Sequence, residues 1–372
     1  METFNNEYLY LIHLLKCVLD GTQPQEKPEE QSFEKILKIA IAHDVANIAY
    51  YAIEKLKNKP SYELNKKWSE IRDKDIIRDL TQEFEYNTIT SLLEKEHIRF
   101  LALKGIHLKD LYPQRDIRTM SDLDLLIDPE NMSKVKDIMT TLNYEQSPQE
   151  KTGNHFAFLK KPWMCVEMHY QLFSRNDKAY YNLMPNPWDY AAPVSPCEWN
   201  FDDNWFFLYL FAHLEKHYSK RGTGIRSIMD IYIYLKHKEK DLDWDYIYSQ
   251  LDKVGKMHIC QDLIHLSKIW FGNAKSCPKY DKMSVYIFSS GVYGTKKHLL
   301  VNSYNSMNAS RYYLSRMFPP LIMMKKRYPI LRKMPILLPL FWIIRLISLS
   351  ILRPKDIKQE IKYINSNKDN DK

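Results

Sequence analysis

Glycine is scarce in this chain, nine among 372 residues, and that scarcity argues against a turn-rich, all-β fold. Cysteine is scarce too. The five present (Cys17, Cys165, Cys197, Cys260, Cys277) are odd in number and contain no CxxC pair. That pattern excludes a disulfide framework and a cysteine zinc site, and fits reduced thiols in a reducing compartment. The first residues carry no basic stretch ahead of an apolar run, so no secretory signal is expected and the expected location is cytoplasmic. Acidic charge is scarce in one place only. From Arg311 onward 14 Lys or Arg stand against 4 Asp or Glu, whereas the first 310 residues hold 40 against 42. The net charge of +8 is therefore a property of the tail. A nucleic-acid binder would also carry basic charge around its cleft, so nucleic acid is not an expected partner.

What is present converges on residues 100–127, FLALKGIHLKDLYPQRDIRTMSDLDLLI. An apolar run ends at Lys104-Gly105, a short amphipathic turn follows, and two arginines lead into SDLDLLI. Asp122 and Asp124 are two residues apart, so on a strand both project from one face while Leu123 and Leu125 point into the core. Adjacent carboxylates repel, and a divalent cation relieves that repulsion. A third acid, Glu167, interrupts the apolar segment WMCVEMHY, with His169 two residues on along the same face. An acid inside a core strand is costly unless paired or metal-bound. Three such carboxylates are what a two-ion phosphoryl-transfer site requires: they place Mg²⁺ against a nucleoside triphosphate. His169 is expected beside the metal or as a general base, with a hydrogen-bonded structural histidine as the alternative.

The succession LKG, LY followed by arginine, SDLDLLI and VEMH resembles the nucleotidyltransferase superfamily that includes DNA polymerase beta. More narrowly, LKG, tyrosine-proline, R-x-x-x-D-x-D-L, E-x-H, then a helical H-x-x-x-H with R-x-x-x-D, is similar to a bacterial family of uncharacterised nucleotidyltransferases. The likeness extends over roughly residues 35 to 350. It implies Asp122, Asp124 and Glu167 as catalytic, metal-holding residues. Lys104, Gly105 and Arg118 are implied at the nucleotide. His213, His217, Arg226 and Asp230 are implied beside it, from a helical pair packed on the catalytic sheet. In place of the superfamily's usual Gly-Gly or Gly-Ser turn, Gly105 here follows Lys104 and precedes Ile106.

Along the chain, residues 4–20 read as a helix. A polar linker follows, then a helix from Phe33 to about Lys57 capped by Ser32, and a long charged helix over about 65–96. In the last of these Ile76, Ile77, Leu80 and Phe84 share one side. Residues 97–175 read as a β-α-β-α-β-β domain, its last two strands a hairpin around Lys160–Trp163. In the segment from Trp205 to Tyr234, His213 and His217 are i, i+4 on one helix, and Arg226 and Asp230 share a face of the next. A zinc site there is disfavoured because HLEKH lacks the HExxH pattern, and an Arg226–Asp230 pair joining two helices is the alternative to a nucleotide role. Residues 335–352 are mostly apolar, with one arginine and basic flanks. That is too short and too charged for a comfortable span, and suits an interfacial helix on an anionic leaflet or a buried helix. The last eight residues read as disordered.

The expected architecture is α+β, a small mixed nucleotidyltransferase sheet with helical additions. Its expected parts are an N-terminal helical lobe (1–96), a catalytic domain (97–175), a helical domain (176–316) and a basic apolar tail (317–372). The expected activity is Mg²⁺-dependent transfer of a nucleoside monophosphate from an NTP to an acceptor that the sequence does not name, releasing pyrophosphate. The rival is a non-catalytic nucleotide-binding or membrane-peripheral scaffold of a surface-polymer pathway.

Overall fold

The sheet that carries SDLDLLI is built from short, mostly buried strands, and helices supply most of the remaining described residues. A computed structural model describes residues 6–148, 154–305, 307 and 309–352. The last eight residues therefore lie outside the described part. The chain divides into two compact units: Met1–Glu215 with Gly224–Val292, and Lys216–Thr223 with Tyr293–Lys372.

The first unit opens with α1 (Asn6–Asp20), α2 (Phe33–Ala42), α3 (Ala46–Ile53) and α4 (Tyr62–Lys95). Ser32 does cap α2, accepting from the Lys35 amide. The single helix expected over 33–57 is two, because Asp44 adopts a left-handed φ of 54° that an α-helix cannot contain. The sheet follows: β1 (Phe100–Ala102), α5 (Gly105–Lys109), β2 (Leu123–Ile127), α6 (Met132–Thr141), β3 (Glu145–Gln146), β4 (His155–Lys160) and β5 (Met164–His169). Its strand order is β1-β2-β5-β4-β3. β2 is antiparallel to β1 and parallel to β5, and β4 is antiparallel to both β5 and β3. This is the mixed sheet of an α+β fold. The unit continues through α7 (Lys178–Leu183), a small ribbon of β6 (Ala191–Pro193) and β7 (Trp199–Phe201), α8 (Asp203–Lys220), α9 (Ile225–Lys238), α10 (Trp244–Lys253), α11 (Met257–Trp270) and α12 (Pro278–Phe288). Lys216–Lys220 of α8 count with the second unit, which also holds α13 (Lys296–Asn305), α14 (Ala309–Met317), α15 (Leu321–Arg327) and α16 (Leu338–Leu352).

Strand alternation decides which face is core. Leu123, Leu125 and Ile127 of β2, Val166 and Met168 of β5 and Phe158 of β4 pack with Ile89 and Leu93 of α4 and Val135 and Met139 of α6. The residues between them face the other way.

The stripe expected to bury α4 does the reverse: Leu80 and Phe84 are 60% and 67% exposed. The inward face carries Asp75, Asp79, Gln82 and Glu85. These positions are tolerable because the segments around the sheet supply partners. Lys109 pairs with Asp79, Gln82 Nε2 donates to the Met120 carbonyl (3.0 Å), and Tyr144 and Lys160 donate to Glu85 (2.9 and 2.6 Å). Hydrophobic periodicity fails where a helix packs on polar loop backbone and paired charge instead of on a greasy sheet.

Candidate active site

The outward face of the sheet collects the charged residues into two rows. Asp124 of β2 is level with Glu167 of β5, and Leu126 is level with His169. His169 in turn lies opposite His155 of β4, and Ala157 opposite Glu167. Asp122 immediately precedes β2. The result brings carboxylate oxygens of Asp122, Asp124 and Glu167 within 4.8 Å of one another. Ring nitrogens of His155 and His169 lie equally close around Glu167.

Electrostatics set these groups apart from ordinary surface acids. Burial and the adjacent Asp124 charge push the Asp122 carboxyl up, with Lys104 opposing. Burial works on Asp124 in the same direction but loses to the His169 hydrogen bond (Nε2 to Oδ1, 3.2 Å) and its charge, and Asp124 is held down. His169 would be lowered by burial, yet Asp124 and Glu167 together hold it up at about 9. Its Nε2 is 3.4 Å from Glu167 Oε2, and His155 Nε2 is 3.4 Å from Glu167 Oε1.

Basic groups border the carboxylates. Lys104, Gly105, Arg118 and Arg226 line, with Asp122 and Asp124, a small cavity of about 40 Å³. Lys104 Nζ donates to His213 Nε2 at 2.8 Å, which puts His213 one residue removed from the carboxylates. Gly105 lies against the Met120 side chain: a Cβ there would stand 2.4 Å from its Sδ, so any larger residue would need that side chain to shift. Arg118 and Asp230 are each other's partners. The guanidinium donates twice to the carboxylate (2.7 and 2.9 Å), Tyr112 donates to the same Oδ1 (2.7 Å), and both ions are buried. Arg226 pairs with Asp44 instead of Asp230, and also donates to Thr119 Oγ1 at 2.9 Å. His217 lies one turn beyond His213 on α8 and falls in the second unit.

Three participants escaped the sequence reading. His155 was legible only from the hairpin register, which sets it opposite His169. Asp44 sits at a helix break that no local motif announced. Tyr209 is one of 26 tyrosines, one turn before His213 on α8. Burial first, and then the charges of Asp124, Asp122 and Glu167, drive its phenol pKa well up. Its i, i+4 relation to His213 is the signal that could have picked it out.

A mixed sheet that holds an acid-x-acid strand parallel to a strand bearing one more acid, with a lysine-glycine turn alongside, defines the architecture of a nucleotidyltransferase. The chain belongs to the uncharacterised nucleotidyltransferase family, whose pattern it matches over residues 29–272. No curated protein and no solved structure matches it.

Proposed function

We propose that this nucleotidyltransferase takes a nucleoside triphosphate and transfers its nucleoside monophosphate to a hydroxyl or phosphate acceptor, with Mg²⁺ held by Asp122, Asp124 and Glu167. The observation that carries the reading is the approach of three carboxylates to within 4.8 Å. Like charges so gathered, with Asp122 held up by burial and by Asp124, form a site short of positive charge. All-oxygen donors suit a hard divalent ion. When bound, Mg²⁺ supplies charge neutralisation for the triphosphate and activation of the attacking oxygen.

The chain's own residues do the remaining work. Lys104 contributes positive charge beside Asp122 and Asp124, in position to offset charge that builds on the leaving pyrophosphate. His169 braces Asp124 and Glu167 through its ring nitrogen and so fixes the carboxylates' orientation. Arg118, paired to Asp230, holds the loop between α5 and β2 against α9 and acts as a positioning residue. Arg226 does the same through Asp44 and Thr119. Release of pyrophosphate from each of the four NTPs with Mg²⁺, using Asp122→Asn as control, tests the proposal. Turnover with one or more NTPs that the variant lacks supports it. No turnover with any NTP, in the presence of candidate hydroxyl and phosphate acceptors, counts against it.

A further inference from the structure

Between Asp281 and Asp356 the chain contains no acidic residue and thirteen lysines and arginines. Most of this stretch belongs to the second unit, and its helix α16 is turned inside out by the standards of a water-soluble surface. On one side Trp342 Nε1 donates to the Pro319 carbonyl (2.8 Å), Phe341 packs on Tyr328 with ring centroids 4.8 Å apart, and Arg345 donates to the Arg316 carbonyl (2.8 Å). The polar and aromatic residues are thus turned toward their own unit. The other side presents Leu340, Ile343, Ile344 and Ile347, spaced i, i+3, i+4 and i+7, and all four are exposed. Ile336, just ahead of the helix, is 84% exposed, and Ile322 and Met323 of α15 are exposed as well. Contiguous apolar surface of this kind marks an interaction face.

A second feature sits in the same unit. A cavity of about 350 Å³ is lined by Arg316, Arg327 and Arg345 together with Tyr312, Met323 and Met324. Three arginines lining a partly apolar cavity suit a phosphate that carries a hydrocarbon body.

The charge decides among possible occupants. A two-fold contact with a second copy would set one acid-free, cation-rich face against itself. A spanning role is excluded for the described residues, because no helix among them is long and apolar enough to cross a membrane. An anionic bilayer satisfies both features, since its acyl boundary accepts the isoleucines and its headgroups accept the cations.

We propose that the second unit docks on an anionic membrane surface, with Leu340, Ile343, Ile344 and Ile347 at the acyl boundary and a lipid headgroup phosphate in the Arg316–Arg327–Arg345 cavity. This inference does not depend on the nucleotidyl-transfer reading. Flotation of the full chain tests it, using vesicles of phosphatidylcholine alone and of phosphatidylcholine mixed with phosphatidylglycerol. The chain is expected to float with the mixed vesicles and not with the neutral ones. Arg327→Gln should weaken binding about fivefold, the effect of one cation near an anionic surface. An Ile343→Asp/Ile347→Asp variant should lose flotation while keeping the wild-type unfolding midpoint, because both side chains are already exposed. Absence of flotation with either vesicle overturns the proposal, as does dimerisation abolished by the same Asp substitutions in place of lipid binding. Equal flotation with neutral vesicles, or binding of soluble glycerol phosphate by a chain that does not float, also overturns it.

Discussion

Two clusters of ionised groups lie within a few residues of each other in the first unit, and they are built on opposite principles. Around Asp230 every charge meets its opposite: Arg118 grips the carboxylate with two hydrogen bonds, Tyr112 adds a third, and Arg226 is matched by Asp44. Around Glu167 the acids meet one another, and His169 is the group that bridges two of them. A satisfied network is how a protein fixes loop against helix. A cluster left with surplus charge of one sign is how it prepares to take up something of the other sign. The first kind should fail by unfolding when cut, the second by losing its ligand.

The largest stability effect is expected in the satisfied cluster. Arg118→Ala leaves the Asp230 carboxylate buried without its main partner and should cost about 3–5 kcal/mol in denaturant unfolding. A loss below about 1 kcal/mol would mean that water reaches Asp230 and that the cluster is not a scaffold.

His169 comes next, through its linkage to pH. Its folded pKa of about 9 lies above the usual 6.5. The stabilisation it contributes is thus complete below about pH 6.5 and is lost as pH rises through about 9. That displacement corresponds to about 3 kcal/mol at most. Metal-free wild-type protein should lose stability over this window, and His169→Asn should flatten the curve. Equal slopes for the two proteins would remove His169 from the account.

Asp122→Asn should move stability the other way. Removing one of two adjacent like charges should leave the metal-free fold unchanged, or raise its stability by about 0.5–2 kcal/mol as is common at functional sites, while Mg²⁺ affinity collapses. Destabilisation by several kcal/mol would place Asp122 among the scaffold residues. The smallest effect belongs to the outward face of α4: Phe84→Ser should change stability by no more than about 0.5 kcal/mol.

These contrasts also mark what could be read from the sequence. The carboxylate face was legible because alternation along a strand is local: Leu123 and Leu125 went inward and Asp124 outward, as period two requires. A small mixed sheet followed from the same pattern, whereas the parallel pairing of β2 with β5 did not, because alternation fixes a strand's faces and not its direction. The partners within the basic set were not legible. The i, i+4 spacing offered Arg226 as the partner of Asp230, whereas the pair that forms, Arg118–Asp230, depends on how α9 meets a loop more than a hundred residues earlier. α4 misled for a related reason. Its apolar stripe faces outward because Lys109, Tyr144, Lys160 and the Met120 carbonyl, all distant in sequence, wait on its acidic side.

The claim beneath the functional reading is that Asp122, Asp124 and Glu167 act as one cation site. Calorimetric titration of Mg²⁺ into wild-type protein and into Glu167→Gln, at pH 6 and pH 8, tests it most directly. Binding should be tighter at pH 8, because the raised Asp122 carboxyl must give up its proton to bind metal. Glu167→Gln should weaken it by more than the roughly 10–100-fold that losing a supporting partner costs. Wild-type affinity in Glu167→Gln would contradict the account.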